Sequence, residues 1–365
     1  MIRALQILDN ITAGGIQSFI MNVYRNIDRE CIQFDFLVHH KHEKSYEEEI
    51  KSKGGRVFYL PARSDGILKN RKALNSFFKK YSGEYAVVHF HESSLTYLEP
   101  LMYATKYNVP IRIMHSHSTK VPRNKIHLLL HKVNKKKIGK YATNYVACGQ
   151  MAGEWMYGGS SVANDVTVIY NGIDISKYEF NEEKRKQIRY ELGLKDEFVI
   201  GHVGRFEPVK NHKFLLEVMK SILEINSNTV LLLVGNGRTF EKTKDYAKEL
   251  GIQSNVRFLG IRNDADMLYQ AMDLMILPSL YEGFPITAIE AEASGLPCIL
   301  SDSITKEALL KENVKYISLS RPQNEWARLA INNSERIIDN TILYNKGFDI
   351  TSTVEQLGKL YLECE

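Results

Sequence analysis

Thirteen short apolar runs rich in β-formers, separated by stretches of helical spacing, leave this chain few folds to choose from. In the first half they cover 2–8, 33–39, 56–60, 86–91, 110–115, 143–148 and 166–169. In the second they cover 198–204, 229–234, 256–259, 274–277, 298–301 and 314–317. Thr229-Val-Leu-Leu-Leu-Val234 is apolar on both faces, as a central strand of a parallel sheet covered on both sides must be. Repetition of strand, helix, strand therefore predicts the α/β class with doubly wound sheets. The pattern runs twice, with a break at Asn171-Gly172, and 365 residues suit two domains. We expect an N-terminal domain over 1–172 and a C-terminal domain over 173–350. A charged, mostly helical linker at about 171–196 joins them, and a last helix over 351–365 packs back across one of the two.

Composition narrows the setting. No window of about 18 uncharged apolar residues exists to span a bilayer, and no basic-then-apolar leader opens the chain, so a cytoplasmic protein is expected. Cys31, Cys148, Cys298 and Cys364 lie far apart without a C-x-x-C pair, which reads as thiols in a reducing compartment and no structural zinc. Charge is uneven. Residues 1–172 hold 24 basic and 14 acidic side chains, a surplus of ten, whereas 173–365 hold 24 and 29, a deficit of five. The two halves thus face different partners, or the first faces an anionic surface.

Ligands of open α/β sheets sit beyond the carboxyl ends of strands, so the turns there carry the chemistry. After the first strand comes Thr12-Ala-Gly14-Gly15-Ile16 and a helix; glycines permit close backbone approach, and a helix start offers free N–H groups. The turn lacks G-x-G-x-x-G and its downstream acid, which counts against a NAD-dependent dehydrogenase. The first strand of the second half leads into Gly204-Arg205-Phe-Glu-Pro-Val-Lys210. Its guanidinium and ammonium either clamp a diphosphate or are solvated loop charges. Gly235-Asn236-Gly237 and Gly260-Ile261-Arg262 are two further turns on the same rim, the latter placed to hold a base edge through main-chain groups.

The most informative segment is Leu277-Pro-Ser-Leu-Tyr-Glu282-Gly283-Phe284-Pro285-Ile286-Thr287-Ala-Ile289-Glu290-Ala-Glu-Ala293-Ser-Gly295-Leu-Pro297. A strand ends at Leu277, and a helix starts near Pro285, where proline suits the first turn. Ile286, Ile289 and Ala293 give it an inward face, and Gly295 and Pro297 end it. The helix start accepts phosphate oxygens through N–H groups and dipole. Glu282 and Glu290 then make sense as hydroxyl acceptors, or else as ordinary residues at a helix start and on its surface.

These residues resemble the retaining glycosyltransferases of family 4, which have the two-domain GT-B fold, two Rossmann-like domains facing across a cleft. The matching pieces are Gly14-Gly15, Tyr170-Asn-Gly-Ile-Asp174, Gly204-Arg205 with Lys210, and the pair Glu282 and Glu290 with seven residues between them. They follow in order over nearly the whole chain, and the 277–297 segment looks most like the branch that builds bacterial capsular polysaccharides and exopolysaccharides. The resemblance implies that Arg205 and Lys210 bind the donor diphosphate, Glu290 the ribose, and Glu282 the donor sugar. Gly14, Gly15, Gly204, Asn236, Ile261, Gly283, Phe284, Pro285, Ile286 and Thr287 complete the donor site. A first-domain histidine would touch the donor sugar. His117 fits that role best, but His115 shares its strand face, so both stand as candidates. His89 and His91 also alternate at a strand end and would line the cleft.

The implied reaction retains anomeric configuration. No carboxylate carries a nucleophile motif, which favours front-face departure, the leaving phosphate taking the acceptor proton. No Asp-x-Asp pair stands at a strand end, so neither metal nor other cofactor is expected. A nucleotide-sugar donor, UDP-linked by default, and a saccharide or polyprenyl-diphosphate-linked acceptor are the implied partners, with no nucleic acid. Residues 120–140 hold eight basic residues and no acid, with Ile126, Leu129, Leu130 and Val133 at helical spacing. That pattern predicts either contact with an anionic membrane surface, placing the protein on the inner face of the cell membrane, or a core helix with a solvated lysine face. A GT-B-fold epimerase and a non-catalytic nucleotide-sugar-binding subunit are the alternatives.

Overall fold

The computed structural model describes residues 1–12, 14–118 and 124–362. The chain divides into two compact units, Met1–Gly172 with Ile350–Glu365, and Ile173–Asp349. Cys364 and residues 120–123 of the basic stretch lie outside the described residues.

The first unit holds β1 (Ile2–Ile7), β2 (Ile32–Val38), β3 (Val57–Tyr59), β4 (Val87–Glu92), β5 (Ile111–Ser116), β6 (Asn144–Ala147) and β7 (Val166–Val168), in the order β3-β2-β1-β4-β5-β6-β7. All pairs are parallel. Strand alternation sends neighbouring side chains to two separate cores. Ala4, Phe34, Phe36 and Val87 pack on one face with the helices Gly15–Asn26 and Ile350–Leu362, whereas Leu5, Leu37 and Val88 join Phe77, Phe78 and Leu101 on the other. Both faces being covered explains why the strands read as continuous apolar runs. The last helix is latched to this unit at its start, where Thr353 Oγ1 accepts from the Gly172 N–H at 3.1 Å and donates to the Tyr170 carbonyl at 3.0 Å.

The second unit holds β8 (Phe198–Val203), β9 (Thr229–Val234), β10 (Val256–Gly260), β11 (Leu274–Leu277), β12 (Cys298–Ser301) and β13 (Val314–Ile317), in the order β10-β9-β8-β11-β12-β13. These are again all parallel. The thirteen strands fall on the thirteen apolar runs. The expected linker differs. Residues after Gly172 form helices Ile175–Tyr178 and Glu182–Glu191 that belong to the second unit. Arg185 and Arg189 fix them by donating to the carbonyls of Gln270, Ala271 and Met272 at the end of helix Ala265–Ala271, and both also pair with Asp273. Guanidinium groups at a helix C-terminus satisfy carbonyls that the helix leaves open.

Helix Ile286–Ala293 starts after Pro285 and ends at Gly295, whose φ of +71° closes the turn with Leu296 N–H bonded to the Ala291 carbonyl. Its inward face is wider than Ile286, Ile289 and Ala293. Ala288, Ala291 and Glu292 are also buried, whereas Ile286 is half-buried. Glu292 Oε2 accepts from the N–H groups of Leu310 and Lys311 at 3.2 and 3.0 Å. Burial pushes its carboxyl from 4.5 up to about 8, against those two N–H groups. A carboxyl with a raised folded-state pKa stabilises the fold in acid and loses that contribution as pH climbs to the folded value. The stability of Glu292→Gln relative to the parent should therefore rise between pH 5 and pH 8, by up to about 1.4 kcal/mol per pH unit. Urea unfolding of both proteins across that range checks this; a difference independent of pH contradicts it.

Candidate active site

Strand order reverses at two places, between β1 and β4 and between β8 and β11. Loops beyond such a point diverge to opposite sides of the sheet and leave a crevice at its carboxyl edge. The residues singled out by sequence cluster at these two edges.

At the β8/β11 edge, Arg205 is exposed on the loop after β8, and Lys210 ends the short turn Pro208–Lys210 before helix His212–Ile225. The loop after β11 is tied to this turn by Leu280 N–H donating to the Val209 carbonyl at 2.8 Å. That bond sets Lys210 Nζ 2.6 Å from Glu282 Oε1, both side chains largely buried. The helix beyond it has Pro285 as its cap residue and no side-chain cap; the N–H groups of Ile286 and Ala288 bond the carbonyls of Phe284 and Pro285, which leaves the Thr287 N–H for a ligand. Gly283 is half-buried, like Ile286 and Thr287, while Phe284 is buried and stacks on Phe348 at 5.5 Å.

The neighbouring turns join the same rim through their backbones. Gly204 N–H donates to the Val234 carbonyl, Phe206 N–H to the Asn236 carbonyl, and Gly235 N–H to the Gly260 carbonyl. Gly235 has φ +130°, and an added Cβ there would collide with the Gly204 carbonyl oxygen. Only glycine permits this approach. Asn236 and Ile261 stand exposed beyond it, Ile261 at 73%.

Glu290 is half-buried, with each carboxylate oxygen taken by a phenol. Tyr178 Oη donates to Oε1 at 3.0 Å and Tyr269 Oη to Oε2 at 2.8 Å. Burial raises its pKa, and the two phenols oppose the rise. Each oxygen keeps a second lone pair for a ligand hydroxyl. Sequence reading missed both tyrosines, because no local spacing links 178 and 269 to 290. It also missed His202, whose Nδ1 bonds the Ile276 carbonyl at 2.9 Å beneath this rim.

At the β1/β4 edge, Gly14 is the extended cap residue of helix Gly15–Asn26 and no side chain caps that helix; space is open beside the Gly15 Cα. His89, His91, His115 and His117 occupy one sheet face in a two-by-two array. His89 Nε2 meets His115 Nδ1 at 3.1 Å, and His91 Nδ1 meets His117 Nε2 at 2.9 Å. Of the two candidates His115 is fully buried and His117 half-buried. Burial lowers the pKa of all four, that of His117 to about 3, so the rings are neutral. His89, His91 and His115 each bring a nitrogen within 4.8 Å of the others, a spacing open to a metal ion; hydrogen bonding to Gln6, Tyr361 and one another accounts for it here.

The family model described as Glycosyltransferase Family 4 matches residues 13–177, and that described as Glycosyl transferases group 1 matches 184–333. The chain is 34% identical to the protein named "Putative glycosyltransferase EpsF" of Bacillus subtilis (strain 168), over 98% of this chain and 96% of that protein. It is a family 4 glycosyltransferase. This glycosyltransferase is also 29% identical, over 84% of each chain, to the Escherichia coli UDP-Gal:alpha-D-GlcNAc-diphosphoundecaprenol alpha-1,3-galactosyltransferase. Among solved structures it is similar to Anabaena Alr3699/HepE in complex with UDP, with TM-score 0.81 and 18% identity over 98% of this chain and 99% of that one. The glycosyltransferase therefore has the GT-B fold.

Proposed function

We propose that this glycosyltransferase takes a sugar from a nucleotide-diphosphate sugar, UDP-linked, and passes it with retention and without a metal to a saccharide or polyprenyl-diphosphate-linked saccharide of a cell-surface polysaccharide. The observation that carries the donor assignment is the β8/β11 edge, where Arg205, Lys210 and an uncapped helix start converge on one rim. Two cations, the Thr287 N–H and the dipole of the helix start offset a diphosphate and stabilise it as it leaves. In this reading Lys210 is held by Glu282 until the donor arrives, and the phosphate oxygens then share its ammonium. Glu282 accepts from the donor sugar, Glu290 from the ribose, and the exposed Ile261 and Asn236 flank the base. Gly14, Gly15 and His117 are the groups that the first unit offers to the donor sugar, with His115 behind His117. The named activity of the Escherichia coli relative, which uses a UDP-sugar and a diphosphoundecaprenol-linked acceptor, supports the choice of both substrates. Lys210→Ala should lower turnover by about 10²-fold, as loss of one preorganised charge donor does. Steady-state rates with the accepted UDP-sugar check this, and an unchanged rate removes the diphosphate assignment.

The acceptor reading extends to the membrane surface. No helix among the described residues is long and apolar enough to cross a bilayer. Helix Lys125–Lys135 nevertheless exposes Ile126 at 65%, Leu129 at 62% and Val133 at 39%, among the exposed Lys125, Lys132, Lys136 and Lys137. Its inner side is held by His131, buried and stacked on Trp155 at 4.4 Å. An exposed apolar stripe bordered by lysines suits the headgroup region of an anionic leaflet. Flotation with vesicles containing phosphatidylglycerol should carry the protein upward, whereas neutral vesicles and a triple Ile126→Ser, Leu129→Ser, Val133→Ser variant should not. Flotation independent of lipid charge and of these residues contradicts the proposal.

A further inference from the structure

The histidine array is wired to a single amide. Gln6, on β1, is 1% exposed and pairs in register with His89 of β4. Its Oε1 lies 2.9 Å from His91 Nε2, and its Nε2 donates to Tyr361 Oη at 3.3 Å. An amide oxygen only accepts, so His91 carries its proton on Nε2. A neutral imidazole has one proton, which leaves His91 Nδ1 as an acceptor, and His117 must donate its Nε2–H to it. His117 Nδ1 is then a bare lone pair; it is buried and has no hydrogen-bond partner among the described residues. The second branch agrees. Tyr361, accepting from Gln6, gives its only proton to His89 Nδ1 at 2.6 Å, and His89 Nε2–H then donates to His115 Nδ1. Phe19, with its ring centroid 5.4 Å from that of His117 and 5.3 Å from that of His115, packs against the array.

We propose that Gln6 is a positioning residue which, through His91, locks His117 as the Nε2–H tautomer, so that His117 meets a saccharide hydroxyl only as a hydrogen-bond acceptor at Nδ1. The saccharide part of this statement rests on the proposed function; the tautomer does not. Reversing the Gln6 amide would reverse every proton in both branches and turn His117 Nδ1 into a donor. The specificity of that nitrogen is thus decided at a residue two hydrogen bonds away.

The test is a two-bond proton–nitrogen correlation spectrum of the full-length, ligand-free protein labelled with ¹⁵N-histidine. We expect pyridine-type Nδ1 and pyrrole-type Nε2 signals for His91 and His117. Tyr361→Phe should leave that pair unchanged while His89 and His115 shift towards a mixture of tautomers, a selective response that general loosening would not give. Gln6→Met should mix the tautomers of His117 and lower kcat by about 5-fold, the worth of one neutral hydrogen bond. A pyrrole-type Nδ1 on His117 in the parent protein, or a Tyr361→Phe spectrum that shifts all four rings alike, overturns the proposal. Correct tautomers with no turnover of any nucleotide sugar would instead overturn the functional reading and leave the network standing.

Discussion

The reversal of strand order between β8 and β11 is the constraint on which the donor-side chemistry proposed for the second unit depends. Parallel strands need crossovers, and crossovers of one hand send the chain to opposite faces on either side of the reversal. The loops after β8 and β11 therefore part at that edge, and a polar cluster can form without filling itself with helix. Lys210 and Glu282 meet there across 72 positions of sequence because one backbone bond, Leu280 to Val209, holds their loops together. The pair is largely buried, so each charge needs the other while no ligand is present. In the proposed function, an arriving diphosphate would replace part of what Glu282 supplies to Lys210 and release the carboxylate towards hydroxyl groups.

The first unit repeats the topology with different chemistry. Its β1/β4 edge gathers four neutral histidines and a glutamine where the second edge gathers charges. Burial explains the difference: the array lies on a face sealed by Phe19 and Tyr361, where an imidazolium would be costly. Neutral rings can still discriminate, because each nitrogen is either a donor or an acceptor. In the proposed function the second edge would recognise by charge and the first by hydrogen-bond polarity.

Much of this was legible in the sequence, and the reasons are physical. All thirteen strands could be read because strands buried on both faces must be apolar throughout, as in Thr229–Val234. The helix beginning after Pro285 and closing at Gly295 was legible because proline and glycine have narrow backbone preferences. The alternation of His89 with His91 and of His115 with His117 showed one strand face, but not that Gln6 and Tyr361 share it, since those partners lie up to 355 residues apart. Tyr178 and Tyr269 were invisible for the same reason. The linker was misread because charged residues suggest solvent, whereas Arg185 and Arg189 turn inward to open carbonyls at the end of a helix. Glu292 was hidden by its neighbours, a carboxylate beside Glu290 that buried itself on backbone N–H groups.

The most direct test is a crystal structure of the full-length protein with an intact, unreactive UDP-sugar analogue. The account predicts diphosphate oxygens within hydrogen-bond distance of Arg205, of Lys210 and of the Thr287 N–H at the start of helix Ile286–Ala293, with a ribose hydroxyl on Glu290. A diphosphate bound elsewhere, with Lys210 still wholly engaged by Glu282, would contradict it.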